Sequence, residues 1–362
     1  MKLNRRDFVG TIGLGAVGLF AGGGVTAALA EPSGGDGELS FVNPELRPFA
    51  RQFQAMPAMK FTPETIVQAR KTPFPAVPFL PDVPVEEKHI PVPGGAPDVL
   101  VYVINRKPGF PRPAIVHTHG GGFIFSTAKL GVPDLQRTAA ELDCVIVTVD
   151  YRLAPETIYS GSMADNYAGL LWTYRHAAEL GVDPARIALM GESAGGGHAA
   201  LLAQMARDRG EVPVMFQVLI YPMLDDRTGS TKQPPKNVGT IGWSVEANRF
   251  GWQCFLGQEP GTRRAPAAAV PARATSLAGL PPAFIGVGSI DLFVDEDIEY
   301  AHRLVDAGVA TELLVVPGAF HGFDMLGAPG SMMKSPYGQP AISKFFNAAK
   351  MDALKRAFAG QF

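Results

Sequence analysis

Apolar runs and helical stretches alternate along this chain, and that alternation limits what it can fold into. Short runs rich in Val, Ile and Leu at 88–92, 99–105, 114–118, 144–150, 187–190, 215–221, 283–288 and 312–316 read as strands. Helical patterns at about 133–142, 164–180, 194–208, 295–307 and 342–358 separate the later ones. Strand and helix in repetition predict an α/β fold with a mostly parallel eight-stranded sheet and helices on both faces. The first two strands, joined by Pro93-Gly94-Gly95, predict an antiparallel hairpin at one edge. Residues 223–280 are too long for an ordinary connection and carry Trp243, Phe250 and Trp252, so they are expected to form a cap over the carboxyl edge of the sheet. The Pro- and Gly-rich segment 31–85, with a weak helical stretch near 63–70, is expected to contribute to that cap, and the catalytic domain to run over 86–362.

Composition removes several classes of function. Net charge is −2, charged residues make up 18% and apolar residues 46%, a balance unlike a disordered tail or a nucleic-acid-binding surface and suited to a small neutral substrate. Two cysteines, Cys144 in an apolar run and Cys254, cannot build a disulfide framework and read as free thiols. His117 and His119 lack a nearby Cys or carboxylate in zinc-type spacing and read as structural. No metal and no cofactor are expected. Residues 1–30 read as an export signal: Arg5-Arg6-Asp7-Phe8, a Gly- and Ala-rich apolar stretch, then Ala28-Leu29-Ala30 before the mature start near Glu31. A periplasmic or secreted protein without a stable membrane anchor is the expectation. An edge strand or the cap is compatible with a homodimer, and no residue decides it.

The chemistry sits at strand ends. Gly191-Glu192-Ser193-Ala194-Gly195 follows the strand 187–190 and opens a helix, the context of a nucleophile elbow, in which glycines let strand and helix approach the serine. His119-Gly120-Gly121-Gly122 follows the strand 114–118, where backbone N–H groups of Gly121 and Gly122, together with that of Ala194, can face a developing oxyanion. In the chain order Ser, acid, His, the base is His321, just past the last strand, and the acid is Asp291, at the end of the one before it. Asp295 reads as the N-cap of the next helix, with Glu296 and Asp297 favouring the same dipole end. His176 and His302 lie on helical stretches and read as solvated or packed. Tyr151 and Arg152 read as pins of the turn after their strand.

Together, His119-Gly-Gly-Gly122, Tyr151-Arg-Leu-Ala-Pro-Glu156, Gly191-Glu-Ser-Ala-Gly-Gly196 and Phe320-His-Gly-Phe323 resemble the hormone-sensitive-lipase family of esterases. The resemblance covers residue 88 to the carboxyl terminus. It implies an α/β-hydrolase fold, a cofactor-free ester hydrolase acting on short to medium acyl chains, and the same Ser193, Asp291 and His321 assignment. The chain departs from the family pattern in three places. Glu192 stands where Asp is common, Leu292 follows Asp291 where Pro is common, and Thr157-Ile158-Tyr159-Ser160 replaces the usual His-Pro-Phe-Pro. The same triad could act on an amide, lactone or carbamate. A binder that holds a small molecule without turning it over is the rival of another class, though intact serine, acid and histidine argue against it.

Overall fold

The computed structural model describes residues 38–56, 60–71, 77–328 and 335–362, so the signal expected over 1–30 lies outside the described residues. Eight strands form one sheet: β1 (Val85–Val92), β2 (Ala96–Ile104), β3 (Arg112–Thr118), β4 (Val145–Asp150), β5 (Val182–Glu192), β6 (Phe216–Ile220), β7 (Ala283–Gly288) and β8 (Thr311–Val316). Their order is β1-β2-β4-β3-β5-β6-β7-β8. β1 and β2 form the antiparallel edge hairpin, β2 also runs antiparallel to β4, and every later pairing is parallel. β3, β6 and β7 are buried along their whole length, as expected of strands covered on both faces.

The helices are α1 (Arg47–Ala55), α2 (Pro63–Lys71), α3 (Ala128–Glu141), α4 (Tyr159–Arg175), α5 (Ala177–Leu180), α6 (Ala194–Arg209), α7 (Val245–Leu256), α8 (Val294–Asp306) and α9 (Ala341–Phe358). Two apolar clusters lie on opposite faces of the sheet. One joins α4, α6, α7 and part of α8, and the other joins α1, α3 and α9. In the first, Phe123 stacks on Phe255 with ring centroids 3.9 Å apart, and Trp252 meets Phe123 edge-on at 5.1 Å. Each such aromatic side chain contributes about 2–3 kcal/mol through burial.

Several boundaries differ from the sequence expectation for physical reasons. α3 starts five residues before Pro133, because Asp150 Oδ1 accepts the Ala128 N–H at 2.7 Å and caps the helix from a neighbouring strand. The expected helix over 164–180 starts earlier and breaks at His176 into α4 and α5. Asp295 is not an N-cap: that position is Phe293, without a side-chain cap, and Asp295 is exposed in the first turn. Glu296 and Asp297 are buried instead of facing the helix end in solvent. Glu296 Oε1 accepts the N–H groups of Leu224 (2.6 Å) and Asp225 (3.1 Å), tying α8 to the start of the long insertion. Burial, reinforced by the Asp225 charge, raises the Glu296 pKa, and burial with the charges of Glu296 and Asp291 raises that of Asp297.

The Pro-rich start divides in two. Residues 38–56 pack beside the last strand: the Asn43 N–H reaches Gly318 O at 2.9 Å and Phe53 meets Phe320 edge-on at 5.5 Å. Residues 60–71 instead join the insertion, where Phe61 stacks on Phe125 at 5.7 Å and on Phe250 at 6.2 Å. Arg70 donates to Ile124 O at 2.7 Å and pairs with Glu156, holding α2 against the loop after β3.

Candidate active site

The sheet order creates the site. From β3 the chain goes to β4 on one side, then returns to β5 on the other, and at such a reversal the loops leaving adjacent strands diverge and open a crevice at their carboxyl ends. The loop after β3 holds Gly120, Gly121 and Gly122, and the turn after β5 holds Ser193.

Ser193 has φ 57° and ψ −123°, a backbone conformation that side-chained residues avoid and that costs on the order of 1–3 kcal/mol. The surroundings enforce it: the Ser193 N–H donates to Ile220 O (2.9 Å), and its carbonyl accepts from Met223 (2.9 Å) and Gly197 (3.1 Å). A Cβ on Gly195 would sit 2.0 Å from Thr118 O, and one on Gly191 would sit 2.3 Å from Gly195 O. The glycines flanking Ser193 are therefore dictated by backbone crossing backbone.

The three residues expected to act together are brought together. His321 Nε2 lies 3.0 Å from Ser193 Oγ, and His321 Nδ1 lies 2.9 Å from Asp291 Oδ2. Asp291 is fully buried, and its other oxygen accepts the Phe293 N–H at 3.0 Å. With the carboxylate fixed from both sides, the imidazole has one orientation. The rings of Tyr221 (4.7 Å) and Phe293 (5.3 Å) meet it edge-on, and Tyr221 is itself held by a 2.6 Å bond to Asp324.

The expected donors lie on the loop after β3 and at the start of α6. Gly121 O accepts the N–H groups of Ile124 (3.0 Å) and Phe125 (3.1 Å), which curls the loop. Among the described residues the Gly121 and Gly122 N–H groups have no hydrogen-bond acceptor. Ala194 is the first residue of α6, so its N–H has no acceptor within the helix either. Three N–H groups near a strained serine and at a helix amino terminus suit an anion.

The insertion touches this arrangement from two sides. A Cβ on Gly122 would overlap the Trp243 ring at 2.4 Å, and one on Gly242 would lie 2.8 Å from His321 O. Trp243 is 4% exposed, its ring centre is 6.4 Å from that of His321, and its Nε1–H donates to Asn248 Oδ1 at 3.3 Å. The aromatic content of the insertion was readable in sequence; that Trp243 rests on the glycine loop was not.

The remaining expected residues fall as follows. Tyr151 Oη donates to His119 O at 2.6 Å, and Arg152 forks onto the buried Asp165 at 2.7–3.1 Å, so both pin the turn after β4. His119 stacks on Tyr151 at 4.2 Å, and burial lowers its pKa. His176 bonds Trp172 O, and His302 is exposed beside Asp306. Cys144 is buried and Cys254 half-buried, and burial pushes these thiols up to about 12 and about 11. Among the described residues no cluster of His, Cys, Asp and Glu is placed to hold a metal ion, and no helix is long and apolar enough to cross a membrane.

An eight-stranded, mostly parallel sheet, a strand–serine–helix elbow and a histidine delivered from beyond the last strand define the α/β hydrolases. The chain belongs to the α/β-hydrolase fold family, whose model matches residues 115–325. It is 34% identical over 259 residues to Esterase LipI of Mycobacterium tuberculosis, covering 71% of this chain and 80% of that protein. It is 37% identical over 221 residues to Carboxylesterase NlhH of the same species, covering 58% of this chain and 66% of that protein. A solved structure of Bacterial Heroin Esterase superposes with a TM-score of 0.78 at 35% identity, over 89% of this chain and 99% of that one. The resemblance to hormone-sensitive-lipase-type esterases is thus carried by similarity over 58–89% of the chain as well as by motifs.

Proposed function

We propose that this protein hydrolyses carboxylic esters of short to medium acyl chain through an acyl-enzyme on Ser193. The reading rests on one observation: a Ser193 Oγ–His321 Nε2 distance of 3.0 Å at a strained elbow, with Asp291 on the far nitrogen at 2.9 Å. Ser193 attacks the carbonyl carbon while His321 takes its proton, and Asp291 holds the imidazole in the required tautomer and stabilises the cation. The N–H groups of Gly121, Gly122 and Ala194 receive the oxyanion, each such donor lowering the barrier by roughly 3–4 kcal/mol. His321 then protonates the departing alcohol, and water activated by the same imidazole releases the acid. The similarity to proteins named esterase and carboxylesterase supports an ester over an amide, lactone or carbamate. Export, proposed from Arg5-Arg6 and Ala28-Leu29-Ala30, is tested by sequencing the amino terminus of the protein recovered from the periplasm or the culture medium.

The test is hydrolysis of p-nitrophenyl acetate, butyrate, octanoate and palmitate, alongside a fluorophosphonate probe. A mass increase on Ser193 that abolishes turnover, and a rate optimum among the shorter chains, are expected. A folded protein that turns over none of the esters and takes no label would defeat the proposal and favour a binding role.

Trp243 is placed to limit the acyl or alcohol group, since its ring lies on Gly122 and beside His321. Trp243→Leu should move the chain-length optimum upward, raising kcat/KM for the octanoate relative to the acetate by about tenfold, the effect of one to two methylenes of accommodated substrate. An unchanged ratio in a folded variant would remove Trp243 from the pocket.

A further inference from the structure

Glu192 and His117 remain without a role in the acyl-transfer scheme, yet they are joined to both halves of the site. Glu192 Oε1 accepts the Gly120 N–H at 2.9 Å, and Glu192 Oε2 lies 2.8 Å from His117 Nε2. His117 Nδ1 in turn lies 2.8 Å from Thr148 Oγ1. The sheet register explains the line. His117 pairs with Thr148 on β4 and with Met190 on β5, and Glu192, two residues beyond Met190, points to the same face. The line thus crosses β4, β3 and β5 and ends on the first glycine of the donor loop.

We propose that Glu192 is a positioning residue: clamped by His117, its carboxylate sets the separation between the Gly121–Gly122 donors and the Ser193 hydroxyl. The inference rests on the acyl-transfer reading above. Elbow and loop are already in close contact, since a Cβ on Gly120 would lie 3.0 Å from Glu192 O and 3.5 Å from Ser193 Cβ. The hydrogen bond to Gly120 N–H therefore acts one residue from a donor whose placement matters to a fraction of an ångström. A carboxylate this near a developing oxyanion would repel it if its charge were free. Burial works to raise the Glu192 pKa, but the charge and hydrogen bond of His117 and the Gly120 N–H outweigh it and hold the carboxyl below the ordinary Glu value. The side chain's length is part of the device. An aspartate, one methylene shorter, draws its carboxylate back from both Gly120 and His117 by about one C–C bond.

The test uses the full chain and its Glu192→Ala, Glu192→Asp and Glu192→Gln variants. Three quantities are measured: kcat and KM on p-nitrophenyl butyrate, the inhibition constant of butylboronic acid, whose serine adduct mimics the tetrahedral intermediate, and the thermal midpoint. For Glu192→Ala and Glu192→Asp, kcat should fall by about 10–100-fold with KM within twofold, and the boronate should weaken by a similar factor. Glu192→Gln keeps an oxygen for Gly120 N–H and should recover to within a few-fold of the parent. Parental kcat and boronate binding in Glu192→Ala overturn the proposal. So does a loss of rate that follows the thermal midpoint and is not recovered by Gln. If Glu192→Ala does not fold, Asp against Gln decides by the same criteria. An inert parent chain defeats the acyl-transfer reading, and the proposal with it, before any variant is compared.

Discussion

Ser193→Ala is expected to lower kcat by about 10⁶-fold, leaving the small residual rate that the N–H donors and binding supply. Alanine removes the one atom that His321 Nε2 engages at 3.0 Å and leaves the elbow's backbone bonds to Ile220, Met223 and Gly197 untouched. The fold should therefore survive. Asp291→Asn should cost about 10⁴-fold by a different route. If the amide oxygen keeps the Phe293 N–H, its NH₂ faces His321 Nδ1, and the imidazole must present a protonated Nε2 to the serine, where it cannot accept a proton. Because the groups act as one unit, the double variant should be no slower than Ser193→Ala alone. Initial rates on p-nitrophenyl butyrate check this. A Ser193→Ala protein within tenfold of the parent, or double-variant losses that multiply, would sink the triad.

Acid should weaken the fold through His198. The ring is fully buried, edge-on to Phe123 and Phe255 and tilted against Tyr151, with Nε2 3.0 Å from Ser162 Oγ. Ser162 Oγ has its own acceptor in Tyr159 O, so it accepts from His198, whose Nε2 carries a proton and donates. Burial, helped by the nearby His119, pulls its pKa from 6.5 to about 3. A base depressed in the folded state leaves stability intact above its unfolded pKa and removes it as pH falls toward the folded one. Between pH 7 and pH 4 this one group should cost about 3 kcal/mol. His198→Gln keeps a donor for Ser162 and does not titrate. Urea unfolding at pH 7 and pH 4 should show the parent losing about 3 kcal/mol more than the variant over that interval. Equal losses would show that His198 does not bear the acid sensitivity.

The legible part of this protein is the part written in adjacent residues. β3, β4, β6, β7 and the second half of β5 announce themselves as continuous apolar runs because both their faces are buried, while the edge strand β8 is legible from its run of Leu and Val although it is only partly covered. α1 and α7 were not legible: α1 lies among prolines and α7 inside a long insertion, and both are stabilised by packing on the rest of the molecule. Asp295 looked like a helix cap because Ser, Thr, Asn and Asp usually are. Phe293 took that position because Asp291, already bonded to His321 and to the Phe293 N–H, sets where the turn begins.

The local code alone specified the elbow, the glycine loop and the chain order of Ser193, Asp291 and His321, because steric demands on glycine and the strand–turn–helix pattern act over a few residues. Tertiary structure decided which residues meet across the sheet. It set Glu192 between His117 and Gly120, laid Trp243 on Gly122 and buried His198 away from water. Those pairings depend on strand order and register, which arise only when distant segments share one core.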